Sequence, residues 1–203
     1  MVEPRELAAM MIELQRKGCH NINLVSPSHV VAQILAAVEI AANEGLRLPL
    51  VYNTGGYDSP EALALIDGVI DIYMPDMKYG ESEIAHKFSH VRNYVEANQA
   101  AVREMHRQVG DLIVDEMGLA RRGLLIRHLV LPGGLAGTEE VLAFIAREIS
   151  CHTYLNLMDQ YYPCYRADEY SPLDRPLAAE EYREALALAN KYGLHRLDQR
   201  SRR

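Results

Sequence analysis

Residues 22 to 60, INLVSPSHVVAQILAAVEIAANEGLRLPLVYNTGGYDSP, decide the fold. INLV (22 to 25) is a short apolar run that stops at a proline turn. Residues 29 to 43 then change period and place Val31, Ile34, Leu35 and Val38 on one helical face, with Gly45 just beyond as a stop. PLVYN (49 to 53) returns to strand formers and ends in polar residues and two glycines. Strand, helix, strand at this spacing is a βαβ unit. The near-continuous hydrophobicity of each run suits strands buried on both faces of a parallel sheet.

The alternation continues outward. VIDIYMPDM (69 to 77), LLIRHLVLP (124 to 132) and TYLNLM (153 to 158) are three further strand-like runs. Residues 4 to 17 place Leu7, Met10, Met11 and Leu14 on one face before Gly18. Ser59-Pro60-Glu61 is a helix start: an acceptor, a residue needing no amide donor, then an acid at the positive end of the dipole. Thr138 with Glu139 and Glu140 opens a helix at 139 to 149, and the last helix, about 179 to 192, closes at Gly193. The stretch 92 to 110 is helical too and makes a long insertion. The order α-β-α-β-α-β-α-β-α-β-α predicts right-handed βαβ units in a parallel sheet or partial barrel, one α/β domain over residues 1–203. Five strands are too few for the eight-stranded barrel of about 250 residues. The leading helix reads as the second half of a βα unit whose strand is missing.

Composition excludes several classes. No run of eighteen apolar residues is present, so no membrane span is expected, and MVEPRELAAMM is not a secretory leader. The net charge is −7, with no basic stripe apart from Arg200, Arg202 and Arg203, which disfavours a nucleic-acid partner. Cys19, Cys151 and Cys164 are too few and too scattered for a disulfide framework and form no CxxC pair. A cytoplasmic protein is expected. No GxSxG, Walker phosphate loop, HExxH or GxGxxG occurs, and the histidines show no metal-ligand spacing.

In parallel α/β folds ligands sit at the C-terminal ends of the strands. The first run ends in Ser26-Pro27-Ser28-His29, where Ser28 either meets a ligand or caps the next helix. The second ends in Asn53-Thr54-Gly55-Gly56, a close-approach site for a ligand or a simple turn. In the third, Ile70, Ile72, Met74, Asp76 and Lys78 share one face by period two. That face is apolar until it ends in an acid and a base. Such a pair can hold a ribose hydroxyl and a carboxylate or phosphate, or it can be a plain surface ion pair. In the fourth, Arg127 lies amid Leu125, Leu129 and Leu131, and a guanidinium there must find a partner or ligand, while His128 points toward the covering helices. In the fifth, Asn156, Met158 and Gln160 share a face, with Gln160 at the mouth. Tyr161 and Tyr162 either line the site or pack. Glu81, Glu83, Asp111, Asp115 and Glu116 read as a solvated face.

GCHNINLVSPSHVV, VYNTGGYDS, YMPDMKYGESEIAHKFS and RGLLIRHLVLPGG together resemble radical S-adenosylmethionine (SAM) enzymes of the pyruvate formate-lyase activating type, in the subgroup of iron–sulfur homologues. The resemblance implies a partial (β/α)6 TIM-like barrel of parallel strands, its first strand missing here, that binds SAM across its top. It implies SAM contacts at Asp76, Lys78 and Arg127, at Asn53 and Thr54, and at Gln160. Ser26 and Ser28 stand where the family carries a GGE-like segment facing the SAM amino group. The family's [4Fe–4S] cluster needs a CxxxCxxC loop after the first strand, and this chain lacks it. Its partners would be a glycyl radical enzyme or other protein substrate and an electron donor such as flavodoxin or ferredoxin.

Three readings follow. The chain is part of a longer oxidoreductase, without activity by itself. Alternatively it is a cluster-less SAM- or nucleotide-binding or scaffold protein. The third reading is a barrel lyase or isomerase with Lys78 as its working amine. For the isolated chain, weak or no SAM binding is expected, together with self-association through an unpaired sheet edge.

Overall fold

The computed structural model describes residues 2–198; Arg200, Arg202 and Arg203 lie outside the described residues. Among the described residues seven α-helices and six strands follow in the order α1 (Pro4–Arg16), β1 (Ile22–Val25), α2 (Val31–Asn43), β2 (Leu50–Thr54), α3 (Pro60–Ala64), β3 (Ile72–Pro75), α4 (Ser82–Ser89), α5 (Tyr94–Val109), β4 (Ile113–Val114), β5 (Ala120–Leu129), α6 (Thr138–Phe144), β6 (Tyr154–Met158) and α7 (Ala179–Lys191). The five expected runs form a parallel sheet in the order β1-β2-β3-β5-β6. β4 is an addition to the expected plan. It pairs antiparallel with the start of β5, which begins four residues before the run read from sequence. The hairpin is organised by Asp115, which accepts from the amides of Met117 and Leu119 and from Arg121, so this acid is more than a solvated one.

The parallel strands after β1 alternate between two apolar environments, as their period requires, whereas β1 buries Ile22 and Leu24 and exposes Asn23 and Val25. Leu24, Tyr52, Tyr73, Leu124, Ile126, Leu155 and Leu157 join the main core beneath the helices. Val51 and Ile72 face the other way, with Leu112, Met74, Leu125 and Tyr154. Ile70 belongs to the helix-side core, because it precedes β3 and the strand period does not reach it. In α1 the buried stripe is Ala8, Met11 and Ile12, whereas Met10 and Leu14 are half exposed.

The sheet is curled. One cavity of about 360 Å³ is lined by Asn23 of β1, Asn53 of β2, Met74 of β3, Arg127 of β5 and Asn156 of β6. Five strands laid flat would separate the first and last by about 19 Å, four spacings of roughly 4.8 Å. A single cavity touching all five therefore requires a partial barrel. Leu112 clusters with Val51 and Ile72 on the inner face of the sheet, and Gly123 leaves room for that crossing: a Cβ there would sit 2.4 Å from the Asp111 carbonyl.

Candidate functional site

Register builds the site in layers. Asn53 pairs with Met74, Asp76 bridges to Arg127, and Arg127 pairs with Asn156. Side chains of paired residues in a parallel sheet point to the same side, so Asp76, Arg127 and Asn156 rise together above the apolar floor. Two adjoining cavities, of about 360 Å³ and 330 Å³, share Arg127, Met158 and Gln160. The first also takes in Asn53, Tyr182 and Asp198, the second Asp76, Lys78 and Tyr79.

Asp76 stands between two cations. Lys78 Nζ donates to its Oδ2 at 2.6 Å, and Arg127 Nη2 lies 2.7 Å from its Oδ1. The same guanidinium nitrogen donates to Asn53 Oδ1 at 2.8 Å. The bond to Oδ1 is an ion pair without hydrogen-bond alignment, and both Asp76 Oδ1 and Arg127 Nε are buried with no hydrogen-bond partner. Buried polar atoms are normally satisfied, so two such atoms on one ion pair at a cavity wall are what a polar ligand would complete.

The backbone bearing this pair is held from behind. Asn98 of α5 donates through Nδ2 to the carbonyls of Gly56 and Asp76, each at 2.9 Å. Tyr94, one turn earlier, accepts the Lys78 amide at 2.8 Å, and burial pushes its phenol well above the ordinary range. Gly56 has a φ of +77°, and a Cβ there would lie 2.2 Å from the Asp76 carbonyl. His128 is fully buried on the opposite face, donating from Nδ1 to the Met77 carbonyl at 2.6 Å and meeting Thr138 Oγ1 at 3.0 Å. Burial lowers its pKa to about 4. Thr138 is thereby occupied by His128, and it makes no side-chain cap on α6.

Of the eight residues singled out from sequence, Asn53, Asp76, Lys78, Arg127 and Gln160 line the two cavities. Ser26, Ser28 and Thr54 do not. Thr54 is 3 % exposed and donates to Asp58 Oδ2 at 2.6 Å; since Asn53 faces inward, its neighbour must face outward. Ser28 donates to Asp58 Oδ1 at 2.5 Å and caps no helix, and Tyr52 donates to the same oxygen at 3.0 Å. Ser26 is exposed and takes a left-handed conformation with φ 52°. Asp58, Tyr94 and Asn98 were not foreseen. The one signal for Asn98 was a poor helix former within a helical run.

No helix of the described residues is long and apolar enough to cross a membrane. Among the described residues no group of three or more His, Cys, Asp or Glu side chains is placed to hold a metal ion, and Cys19, Cys151 and Cys164 are separate free thiols. The residues present therefore do not fit an iron–sulfur cluster, whereas the strand-end cavity fits a polar organic ligand.

No protein-family model matches the chain. An uncharacterized protein of Methanocaldococcus jannaschii is 33 % identical over 192 residues, 94 % of this chain and 52 % of the relative, so the chain spans about half the length of the curated relative it matches. A domain of pyruvate-formate lyase-activating enzyme from Bacteroides vulgatus superposes with a TM-score of 0.60 at 13 % identity, covering 88 % of this chain and 97 % of that domain. The chain thus shares its fold with a domain of that activating enzyme.

Proposed function

We propose that the strand-end cavity binds SAM, and that the chain is the SAM-binding part of a radical SAM enzyme of the pyruvate formate-lyase activating type, in its iron–sulfur homologue subgroup. The observation that carries this reading is the Asn53–Arg127–Asp76–Lys78 array, with its two unsatisfied buried atoms, at the strand ends of a barrel shared with such an enzyme. Lys78, half exposed, is suited to a carboxylate, and Asp76 to ribose hydroxyls. Arg127 pairs with Asp76 at 2.7 Å and has an Nε–H left to donate. Asn53, Asp76, Lys78 and Arg127 would hold SAM, and a [4Fe–4S] cluster supplied from elsewhere would provide the radical-generating reduction. The cluster's cysteines would belong to a segment outside these 203 residues, a reading supported by the greater length of the Methanocaldococcus relative. On this reading the protein is cytoplasmic and works with a flavodoxin- or ferredoxin-like electron donor.

Saturation-transfer NMR on the full chain tests SAM binding. Weak transfer to SAM that vanishes in Asp76→Ala is the expected result; no transfer at millimolar SAM, or an unchanged signal in the variant, removes the cavity from consideration. An intact mass in source cells well above 22.9 kDa, with three spaced cysteines in the added sequence, supports the longer enzyme. A mass of 22.9 kDa supports the second reading, a SAM- or nucleotide-binding protein without radical chemistry, which the scatter of Cys19, Cys151 and Cys164 also favours.

A further inference from the structure

A third cavity, of about 460 Å³, lies between α4 and the loop that follows β6, and it meets the strand-end cavity at Tyr79 and Leu131. Five aromatic rings line it: Tyr79, Phe88, Tyr161, Tyr165 and Tyr170. Phe88 and Tyr170 meet edge to face at 5.7 Å, which fixes one wall. Lys87 and Arg166 supply the charge, His90 stands beside them, and no carboxylate is among the lining residues although the chain as a whole carries −7. Arg166 is paired with Glu169, whereas Lys87 makes no ion pair among the described residues.

The loop supplies a second, independent observation. It spans residues 159 to 178, broken only by a 3-10 turn at Ala167–Glu169. Within it Tyr165 takes a φ of +55°, a left-handed conformation unfavourable for an aromatic residue, and its side chain is left 93 % exposed at the cavity. Such conformations persist where the surroundings impose them and concentrate at ligand sites. A large exposed ring held at that cost, over a cationic and aromatic cavity, has the form of a lid on a flat ligand.

We propose that this cavity binds a small planar organic anion, an aromatic or heteroaromatic carboxylate or phosphate, stacked on the tyrosines with its charge toward Lys87 and His90. Resting on the SAM reading above, the shared wall at Tyr79 makes this ligand the small-molecule partner of the strand-end site. Its volume lies within the range of small-molecule sites, roughly 300–1,000 Å³.

Cys164 lines the cavity and is exposed, while Cys151 is exposed outside it, so alkylation rates read by mass spectrometry carry an internal control. The probes are flavin mononucleotide, adenosine monophosphate and 4-hydroxybenzoate, with riboflavin as the uncharged match for the first. The expected result is binding of at least one anion that slows alkylation of Cys164 and not of Cys151. Affinity should fall about tenfold in Lys87→Gln and in Tyr165→Ala, both exposed and compatible with folding, and riboflavin should bind about tenfold more weakly than its phosphate, as loss of one charged contact implies. The proposal is overturned if none of the anions binds below about 10 mM, a standard free energy near −2.7 kcal/mol. It is equally overturned if binding leaves Cys164 unprotected or is indifferent to both substitutions, or if only an acidic tyrosine-containing peptide protects Cys164. SAM binding measured in the same variants separates the two readings: Tyr165→Ala should leave it intact, and anion binding should survive Asp76→Ala.

Discussion

Asp58 and Asp76 stand just beyond neighbouring strands, β2 and β3, and meet opposite surroundings. Asp58 is 6 % exposed and accepts from three hydroxyls, those of Ser28, Tyr52 and Thr54. Asp76 keeps 18 % of its side chain exposed, has two cations beside it, and leaves one buried oxygen unaligned with any donor. The first is a closed knot that ties the end of β2 to the turn after β1. The second is an open site. Both are acids in polar strand-end segments, so composition does not separate them. The face on which each ends up does, and so does whether its neighbours are neutral donors or charges.

The contrast can be broken experimentally, and the largest effect is expected at the closed knot. Asp58→Ala should lower stability by about 4 kcal/mol, since three hydroxyls lose their acceptor in a buried place. For a chain of this size that is a fall of about 10 °C in Tm, seen in a thermal melt. Measured well below that melt, weak SAM binding should persist, and its disappearance would merge the two regions into one site.

Next in size is the pH dependence set by His128, which supports the Met77 carbonyl beneath the open site. Its folded pKa, about 4, lies below the unfolded 6.5, so the unfolded chain takes up the proton first as pH falls. Stability from this group is complete above about pH 6.5 and is lost on descent toward pH 4. Urea unfolding should show the parent chain losing about 2 kcal/mol more than His128→Gln between pH 7 and 5. Equal losses would mean that the imidazole is not shielded.

Loss of the Asn98 clamp should cost about 1–2 kcal/mol in Asn98→Ala, because two buried carbonyls lose a shared donor. It should also reduce saturation transfer to SAM, which a purely structural asparagine would leave alone once the chain is folded. The smallest effect is at Lys78, the most exposed member of the array. Lys78→Gln should weaken SAM about fivefold without moving the melt, as an exposed ion pair contributes about 1 kcal/mol or less. A shift in Tm would make the pair structural.

Much of this was legible in the chain. The strand and helix runs announced themselves by period, so the parallel sheet and the shared faces of Asp76 with Met74, Arg127 with Leu125 and Gln160 with Asn156 could be read from alternation. The β4–β5 hairpin did not, because two residues, Ile113 and Val114, carry no period to read. Thr54 was placed at the mouth with Asn53 although neighbours on a strand face opposite ways. Ser28 left two local roles open, and its actual partner, Asp58, lies thirty residues away.

The amino-acid order by itself determined the five parallel strands and where the inward faces of the third and fifth turn polar, because those properties depend only on near neighbours and fixed backbone periods. Only the tertiary structure decided that Asp58 is sealed and Asp76 open, that Asn98 holds two loops from behind, and that the loop after β6 closes an aromatic cavity beside the barrel. Those outcomes depend on contacts between residues distant in the chain, whose burial and pairing exist only once the sheet has curled.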